Sequence, residues 1–129
     1  MKKKILIVDD DPHHNQIVGD LLRAEGYDVE IAMDSPSAVH KNFDFKPDLV
    51  LLDIMMPRFD GTTACQALRE LRPDLPIVIV SAKDAPADIV EGMDWGATRY
   101  ITKPFDHLHL LETVKELLER DPSGGGTEG

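Results

Sequence analysis

The chain is poor in cysteine and in basic residues, and both deficits narrow what it can do. Cys65 is its single cysteine, so no disulfide can form within the chain, and a reducing compartment, the cytoplasm, is expected. The 14 Lys and Arg residues are outnumbered by 24 Asp and Glu residues, which gives a formal net charge of -10. Phosphate contacts need clustered bases, so direct nucleic-acid binding by this domain is not expected. A DNA-binding neighbour in a longer protein is compatible with these numbers.

Long hydrophobic runs are also missing. The basic start at residues 1–4 is followed by a short apolar run at residues 5–8, and then by acids. That run is too short for the core of a signal peptide, and no segment is long enough to span a bilayer. We therefore expect no membrane partner.

The length of 129 residues suggests one domain with one hydrophobic core. Residues 121–129 are rich in glycine and contain no apolar residue. We interpret them as a flexible linker or tail that follows a domain of residues 1–120.

Short apolar runs alternate with amphipathic helical patterns five times along the chain. The runs predict strands at residues 5–8, 27–33, 48–52, 76–81 and 99–103. Helix signals stand between them, such as the Asp11 cap before Pro12 and the closing Gly26. Strict alternation predicts an α/β fold, with a parallel sheet covered by helices on both faces.

Helical spacing also predicts which side chains face the sheet. On the second predicted helix, Val39 and Phe43 are expected to point inward. On the third, Cys65, Leu68 and Leu71 are expected to do so. The histidines are interpreted as surface residues: His13, His14, His40, His107 and His109.

Polar residues stand where the predicted strands end. Asp9 and Asp10 follow the first strand, and Asp53 follows the uncharged run at residues 49–52 of the third strand. Ser81 ends the fourth strand and Lys103 the fifth. The carboxyl ends of parallel strands share one edge of the sheet, which is where ligands bind in open α/β sheets. We therefore expect these side chains to converge, although folding does not require them there.

These residue types suit phosphoryl transfer. Clustered carboxylates repel one another unless a cation joins them, and Mg²⁺ binds one or two carboxylates together with waters and phosphate oxygens. A carboxylate can also attack phosphorus and form an aspartyl phosphate. Such transfer requires mainly positioning and charge neutralisation. We interpret Asp53 as the nucleophile, with Lys103 and the Ser81 hydroxyl contacting the phosphoryl oxygens.

Four motifs, in this order and spacing, resemble the receiver domain of response regulators from two-component phosphorelays. They are Ile7-Val8-Asp9-Asp10, Leu51-Leu52-Asp53 with Pro57 and Asp60-Gly61, Val80-Ser81-Ala82, and Tyr100 through Lys103-Pro104-Phe105. The resemblance runs from about residue 3 to about residue 120. It implies a flavodoxin-like (βα)5 three-layer sandwich with strand order 2-1-3-4-5.

The resemblance also implies a role for each site residue. Asp53 is the phosphoacceptor, Asp10 binds Mg²⁺ directly, and Asp9 assists. The backbone carbonyl of Met55 is a further metal ligand. Asp11 is assigned to helix capping and not to the metal.

On the other side of the implied site, Lys103 pairs with the phosphoryl group or with Asp53. Ser81 and Tyr100 form a switch pair, and the bond between Lys103 and Pro104 is expected to be cis. The implied donor is a histidine kinase or phosphotransfer protein. The implied target is an output domain or downstream protein, contacted through the fourth helix, fifth strand and fifth helix. Transcription regulation and a homodimer that depends on phosphorylation fit the same family.

Two other functions remain open at this point. A haloacid-dehalogenase-like phosphatase also uses a strand-end aspartate with Mg²⁺, but it needs a second acid two residues later, where Met55 stands. A pseudo-receiver that binds partners without phosphate predicts a broken acid cluster, whereas this cluster is complete. We therefore expect a signalling domain that catalyses only its own phosphorylation and dephosphorylation.

Overall fold

Five strands and five helices alternate along residues 2–54 and 61–119, the part of the chain that the computed structural model describes. They are β1 (Lys4–Val8), α1 (Pro12–Ala24), β2 (Asp28–Ala32), α2 (Ser35–Asp44), β3 (Leu49–Leu52), α3 (Gly61–Leu71), β4 (Ile77–Ser81), α4 (Pro86–Asp94), β5 (Arg99–Thr102) and α5 (His107–Glu119). The predicted alternation is confirmed, and most strand boundaries agree to within a residue. The predicted domain boundary at residue 120 lies outside the described residues.

All five strands form one parallel sheet in the order β2-β1-β3-β4-β5, so the predicted flavodoxin-like strand order is confirmed. Val8 pairs with Leu52 in this sheet. Asp9 and Asp53 therefore lie next to each other at the carboxyl edge of the sheet, because each directly follows one of these paired residues. The register of β4 and β5 brings Lys103 to the same edge.

Two apolar layers cover the sheet. One joins it to α1 and α5 through side chains such as Val18 and Leu110. The other joins it to α2 and α3 through Ala38, Cys65 and Leu68. Every residue of β3 is buried. An uncharged strand of this kind suits the centre of a doubly covered parallel sheet, which is where β3 lies.

Acidic side chains cap the starts of two helices at the carboxyl edge of the sheet. Asp11 accepts a hydrogen bond from the backbone N–H of His13 at 3.0 Å and caps α1, as predicted. Asp106 accepts one from the N–H of Leu108 at 2.9 Å at the start of α5. The bond between Lys103 and Pro104 is cis. No helix within the described ranges is both long and apolar enough to cross a membrane.

Two predictions of inward-facing side chains are wrong. Phe43 is 59% exposed and Leu71 is 46% exposed, whereas Leu68 is fully buried. Both exposed residues lie in the last turn of their helices, where they line a surface groove with Lys46 and not the layer over the sheet. The helical spacing of apolar residues continues to the end of a helix, but the sheet does not extend beneath the last turn.

Candidate functional site

Asp53 is buried directly after β3, at the carboxyl end of the central strand. Its backbone N–H donates to the carbonyl of Val8 at 2.9 Å, which continues the pairing of β1 with β3 by one residue. Gly61 begins α3 against the main chain of Ile54 and Asp53, so closely that a Cβ would collide with it. The chain around Asp53 is therefore held from two sides.

Lys103 brings a positive charge to this buried acid. Its Nζ lies 3.1 Å from Oδ2 of Asp53 and 3.4 Å from Oδ2 of Asp9. The backbone N–H of Lys103 donates to the carbonyl of Ser81 at 2.8 Å, which fixes where the side chain starts. Residues far apart in sequence thus form one charged cluster, in which a single ammonium bridges two carboxylates.

The surroundings of Asp9 and Lys103 keep these two side chains charged. Burial raises the pKa of Asp9, but contacts with His14, the Asp11 N–H and the Lys103 ammonium outweigh burial and hold that pKa below its usual value. Burial lowers the pKa of Lys103, but the carboxylates of Asp53 and Asp9 outweigh it and leave that pKa raised. The lysine is accordingly an ammonium at neutral pH, able to pair with a further anion.

His14 belongs to this cluster, so its interpretation as a surface residue is wrong. Its Nδ1 lies 2.9 Å from Oδ2 of Asp9, and its ring meets Phe105 edge-on at 6.0 Å between centroids. The contact with Asp9 lacks the direction of a hydrogen bond, and both ring nitrogens are buried without one. A signal was present in the sequence, because His14 stands four residues before the buried Val18 on α1.

The carboxylates at this edge fit a divalent cation. Asp9 and Asp53 follow adjacent strands, and the half-buried Asp10 stands next to Asp9. Across residues 2–54 and 61–119, no three His, Cys, Asp or Glu side chains are arranged as a metal cage. Mg²⁺ does not need one, since it binds through one or two carboxylates and keeps several waters. The predicted ligand Met55 lies outside the described residues.

The two residues of the predicted switch pair, Ser81 and Tyr100, both bond to the backbone of Lys83, in the loop between β4 and α4. The Ser81 hydroxyl accepts a hydrogen bond from the Lys83 N–H at 3.1 Å. The Tyr100 hydroxyl donates one to the Lys83 carbonyl at 2.7 Å. Burial raises the pKa of Tyr100, and nearby carboxylates including Asp53 raise it further, which together outweigh the lowering by the Ser81 side chain, so this phenol stays a neutral donor. Sequence reasoning missed the backbone of Lys83, because no side-chain pattern marks a peptide group.

A doubly wound parallel sheet with acids, an ammonium and a hydroxyl at its carboxyl edge defines a class: the flavodoxin-like α/β domains with a charged site at the strand ends. Comparison with known proteins narrows this class. A family model for the response regulator receiver domain matches residues 5–115. The chain belongs to this family, the signalling domains of two-component systems.

Relatives and solved structures agree with this assignment. The DNA-binding dual master transcriptional regulator RpaA from Synechocystis sp. is 41% identical over 119 residues, which cover 91% of this chain and 49% of that protein. The response regulator MprA from Mycolicibacterium vanbaalenii is 40% identical over 129 residues, covering 99% and 56%. The chain thus spans about half the length of these relatives.

Among solved structures, a CheY-like receiver domain protein from Methanospirillum hungatei superposes with a TM-score of 0.87 at 33% identity, and each chain is covered completely. The BeF3-activated N-terminal receiver domain of RstA from Klebsiella pneumoniae gives a TM-score of 0.86 at 33% identity, covering 92% of this chain and 100% of that one.

Proposed function

We propose that this domain takes a phosphoryl group onto Asp53 from a histidine kinase or phosphotransfer protein, with Mg²⁺, and thereby controls an output domain or partner. The observation that carries the proposal is the contact of Lys103 Nζ with the buried Asp53 carboxylate at 3.1 Å. A buried acid is costly unless it is paired, so this pairing at a strand end suits a reactive group more than a structural one.

In the proposed reaction, a carboxylate oxygen of Asp53 forms a bond to phosphorus while the P–N bond of the donor phosphohistidine breaks. The imidazole leaves with the electron pair of that bond. Lys103 pairs with a phosphoryl oxygen, which its position between Asp53 and Asp9 allows. Bound Mg²⁺ would supply charge neutralisation, with Asp9, Asp10 and Asp53 holding it and the Met55 carbonyl as the further expected ligand.

The proposed switch starts at the Ser81 hydroxyl. Phosphorylation replaces the single negative charge of the Asp53 carboxylate by roughly 1.5 to 2 charges on the phosphoryl oxygens, and the hydroxyl turns to donate to these new oxygens. The Lys83 N–H then loses its side-chain acceptor, and Tyr100 moves because it holds the carbonyl of the same residue. The face formed by α4, β5 and α5 changes as a result. Shifting such an equilibrium from 1:99 to 99:1 takes about 5.5 kcal/mol, of which a few charge-assisted hydrogen bonds could supply much.

The proposed output is transcription regulation through another domain or protein. RpaA is described as a DNA-binding transcriptional regulator, and this chain covers only part of it. The net charge of -10 argues that DNA contacts would come from elsewhere. A cytoplasmic location and a homodimer that depends on phosphorylation belong to the same proposal.

Beryllofluoride, which stands in for a phosphoryl group on a carboxylate, tests the switch. With Mg²⁺ present, we expect it to shift the amide resonances of Ser81, Lys83 and Tyr100 in the wild type and to leave them unmoved in Asp53→Asn. Turnover of p-nitrophenyl phosphate, measured alongside, is expected to be absent. Sustained turnover, or equal shifts in both proteins, would contradict the proposal and favour a phosphatase or a phosphate-independent module.

A further inference from the structure

Helix α4 is the least embedded helix among the described residues. Gly92 is its only buried residue. Of its larger apolar side chains, Val90 is 60% exposed and Met93 40% exposed, and Ile89 is only half-buried. A helix that buries so little apolar surface is held in place mainly by specific contacts, and these contacts decide how easily it moves.

The close contact at Gly92 leaves little room for a side chain. A Cβ built on Gly92 would lie 3.0 Å from Cδ1 of Ile79 and 3.0 Å from both Cδ2 and Cε2 of Tyr100. Carbon atoms at optimal separation are about 3.5 to 4.0 Å apart, so a methyl group at this position would press on the Tyr100 ring and on Ile79 unless they moved. Glycine is a poor helix former. Its presence inside α4 therefore has a packing reason, which is the close approach of the helix to the Tyr100 ring.

The two ends of α4 are held differently. Beyond its C-terminal end, the Gly96 carbonyl accepts hydrogen bonds from Nε and Nη2 of Arg69 at 2.9 and 2.8 Å, which ties this end to α3. Before its N-terminal end, the Lys83 carbonyl is bonded to the Tyr100 hydroxyl. Tyr100 thus makes two contacts in this region: its ring lies against α4 at Gly92, and its hydroxyl bonds to the loop that leads into the helix.

We propose that Gly92 is a positioning residue that seats the Tyr100 ring against α4 and so couples the phosphoacceptor site to this helix. The proposal rests on the proposed function and adds the route by which α4 follows the site. Because Arg69 holds the C-terminal end, a change at Tyr100 moves chiefly the N-terminal end. A side chain at position 92 separates the ring from the helix and uncouples the two.

Amide hydrogen exchange of the unphosphorylated chain tests whether Gly92 seats the Tyr100 ring against α4. In Gly92→Ala, we expect amides of α4 and of residues 83–85 to exchange about fivefold faster or more, with β1 and α5 unchanged. Gly19→Ala is the matched control, because Gly19 is also buried within a helix and the three atoms nearest its new methyl all belong to the movable guanidinium of Arg23. It is expected to leave α4 unaffected. Unchanged exchange in Gly92→Ala would overturn the proposal.

A second background separates positioning from a general loss of helix stability. In Tyr100→Ala the ring is gone, and Cδ1 of Ile79 can turn into the space left behind. Adding Gly92→Ala is then expected to slow α4 exchange, since alanine is the better helix former. If Gly92→Ala instead accelerated amide exchange in α4 by a similar factor in both backgrounds, Gly92 would have a merely structural role and the proposal would be overturned.

Phosphorylation supplies the functional readout. We expect Gly92→Ala to gain one phosphoryl group by intact mass after acetyl phosphate and Mg²⁺, yet to lose the change in α4 exchange that phosphorylation causes in the wild type. Retention of that change would contradict the coupling. If the wild type gains no phosphoryl group, the proposed function fails, while the exchange data on the two backgrounds still decide whether Gly92 seats Tyr100.

Discussion

Replacing Lys103 by methionine is expected to slow the phosphorylation of Asp53 by acetyl phosphate about a hundredfold or more. The ammonium lies 3.1 Å from Oδ2 of Asp53, where it can stabilise charge that develops on the transferred group. Removing one such preorganised group costs enzymes about 10² to 10³ in rate. Methionine keeps the length and the apolar stem of lysine, so mainly the charge is lost. The measurement is the initial rate of mass gain at saturating Mg²⁺.

The matched control for this experiment is Lys115→Met, which removes the same charge from an exposed position on α5. Its phosphorylation rate is expected to equal that of the wild type. Circular dichroism of both variants checks the fold, because Lys103→Met also leaves Asp9 without its ammonium partner. A folded Lys103→Met protein that reacts within a few fold of the wild-type rate would show that this lysine does not assist the transfer.

Leu68→Ala is expected to lower the free energy of unfolding by about 2 to 5 kcal/mol, a large share of the total stability of a domain this size. Leu68 is fully buried in the layer between α3 and the sheet. Truncating it removes apolar contacts and leaves a cavity that the neighbouring strands cannot fill. Urea unfolding, followed by circular dichroism, gives the change directly.

Leu71→Ala is the internal comparison, since Leu71 lies three residues further along the same helix. It is 46% exposed in a surface groove, so its truncation is expected to change stability by about 0.5 kcal/mol or less. The spacing of apolar residues predicts equal burial for both leucines, whereas the structure predicts unequal costs. Similar losses for the two variants would mean that α3 is seated differently over the sheet.

The α/β class could be predicted because one pattern, buried strand followed by amphipathic helix, repeats five times and allows few topologies, whereas the strand order was implied by the resemblance to receiver domains. The convergence at the site follows from the fold, since residues after parallel strands must share an edge. The order of the strands therefore suffices to bring Asp53, Asp9 and Lys103 together. The structure adds that one ammonium contacts both carboxylates.

What could not be predicted depends on where elements end and on groups without a sequence signature. Phe43 and Leu71 follow helical spacing, but they lie in terminal turns beside a surface groove. The spacing of His14 and Val18 indicates a shared face of α1, but the contact of His14 with Asp9 also depends on where α1 begins and how it is rotated. The backbone of Lys83 joins Ser81 to Tyr100, and no side-chain type announces a role for a peptide group.

The central claim is that Asp53 alone accepts the phosphoryl group, and intact-mass spectrometry after incubation with acetyl phosphate and Mg²⁺ tests it most directly. The wild type is expected to gain the mass of one phosphoryl group. No such gain is expected when Mg²⁺ is chelated before the donor is added. Asp53→Asn, which keeps the shape of the side chain, is expected to gain nothing. A gain of equal size in Asp53→Asn, or no gain in a folded wild type with Mg²⁺ present, would contradict the account.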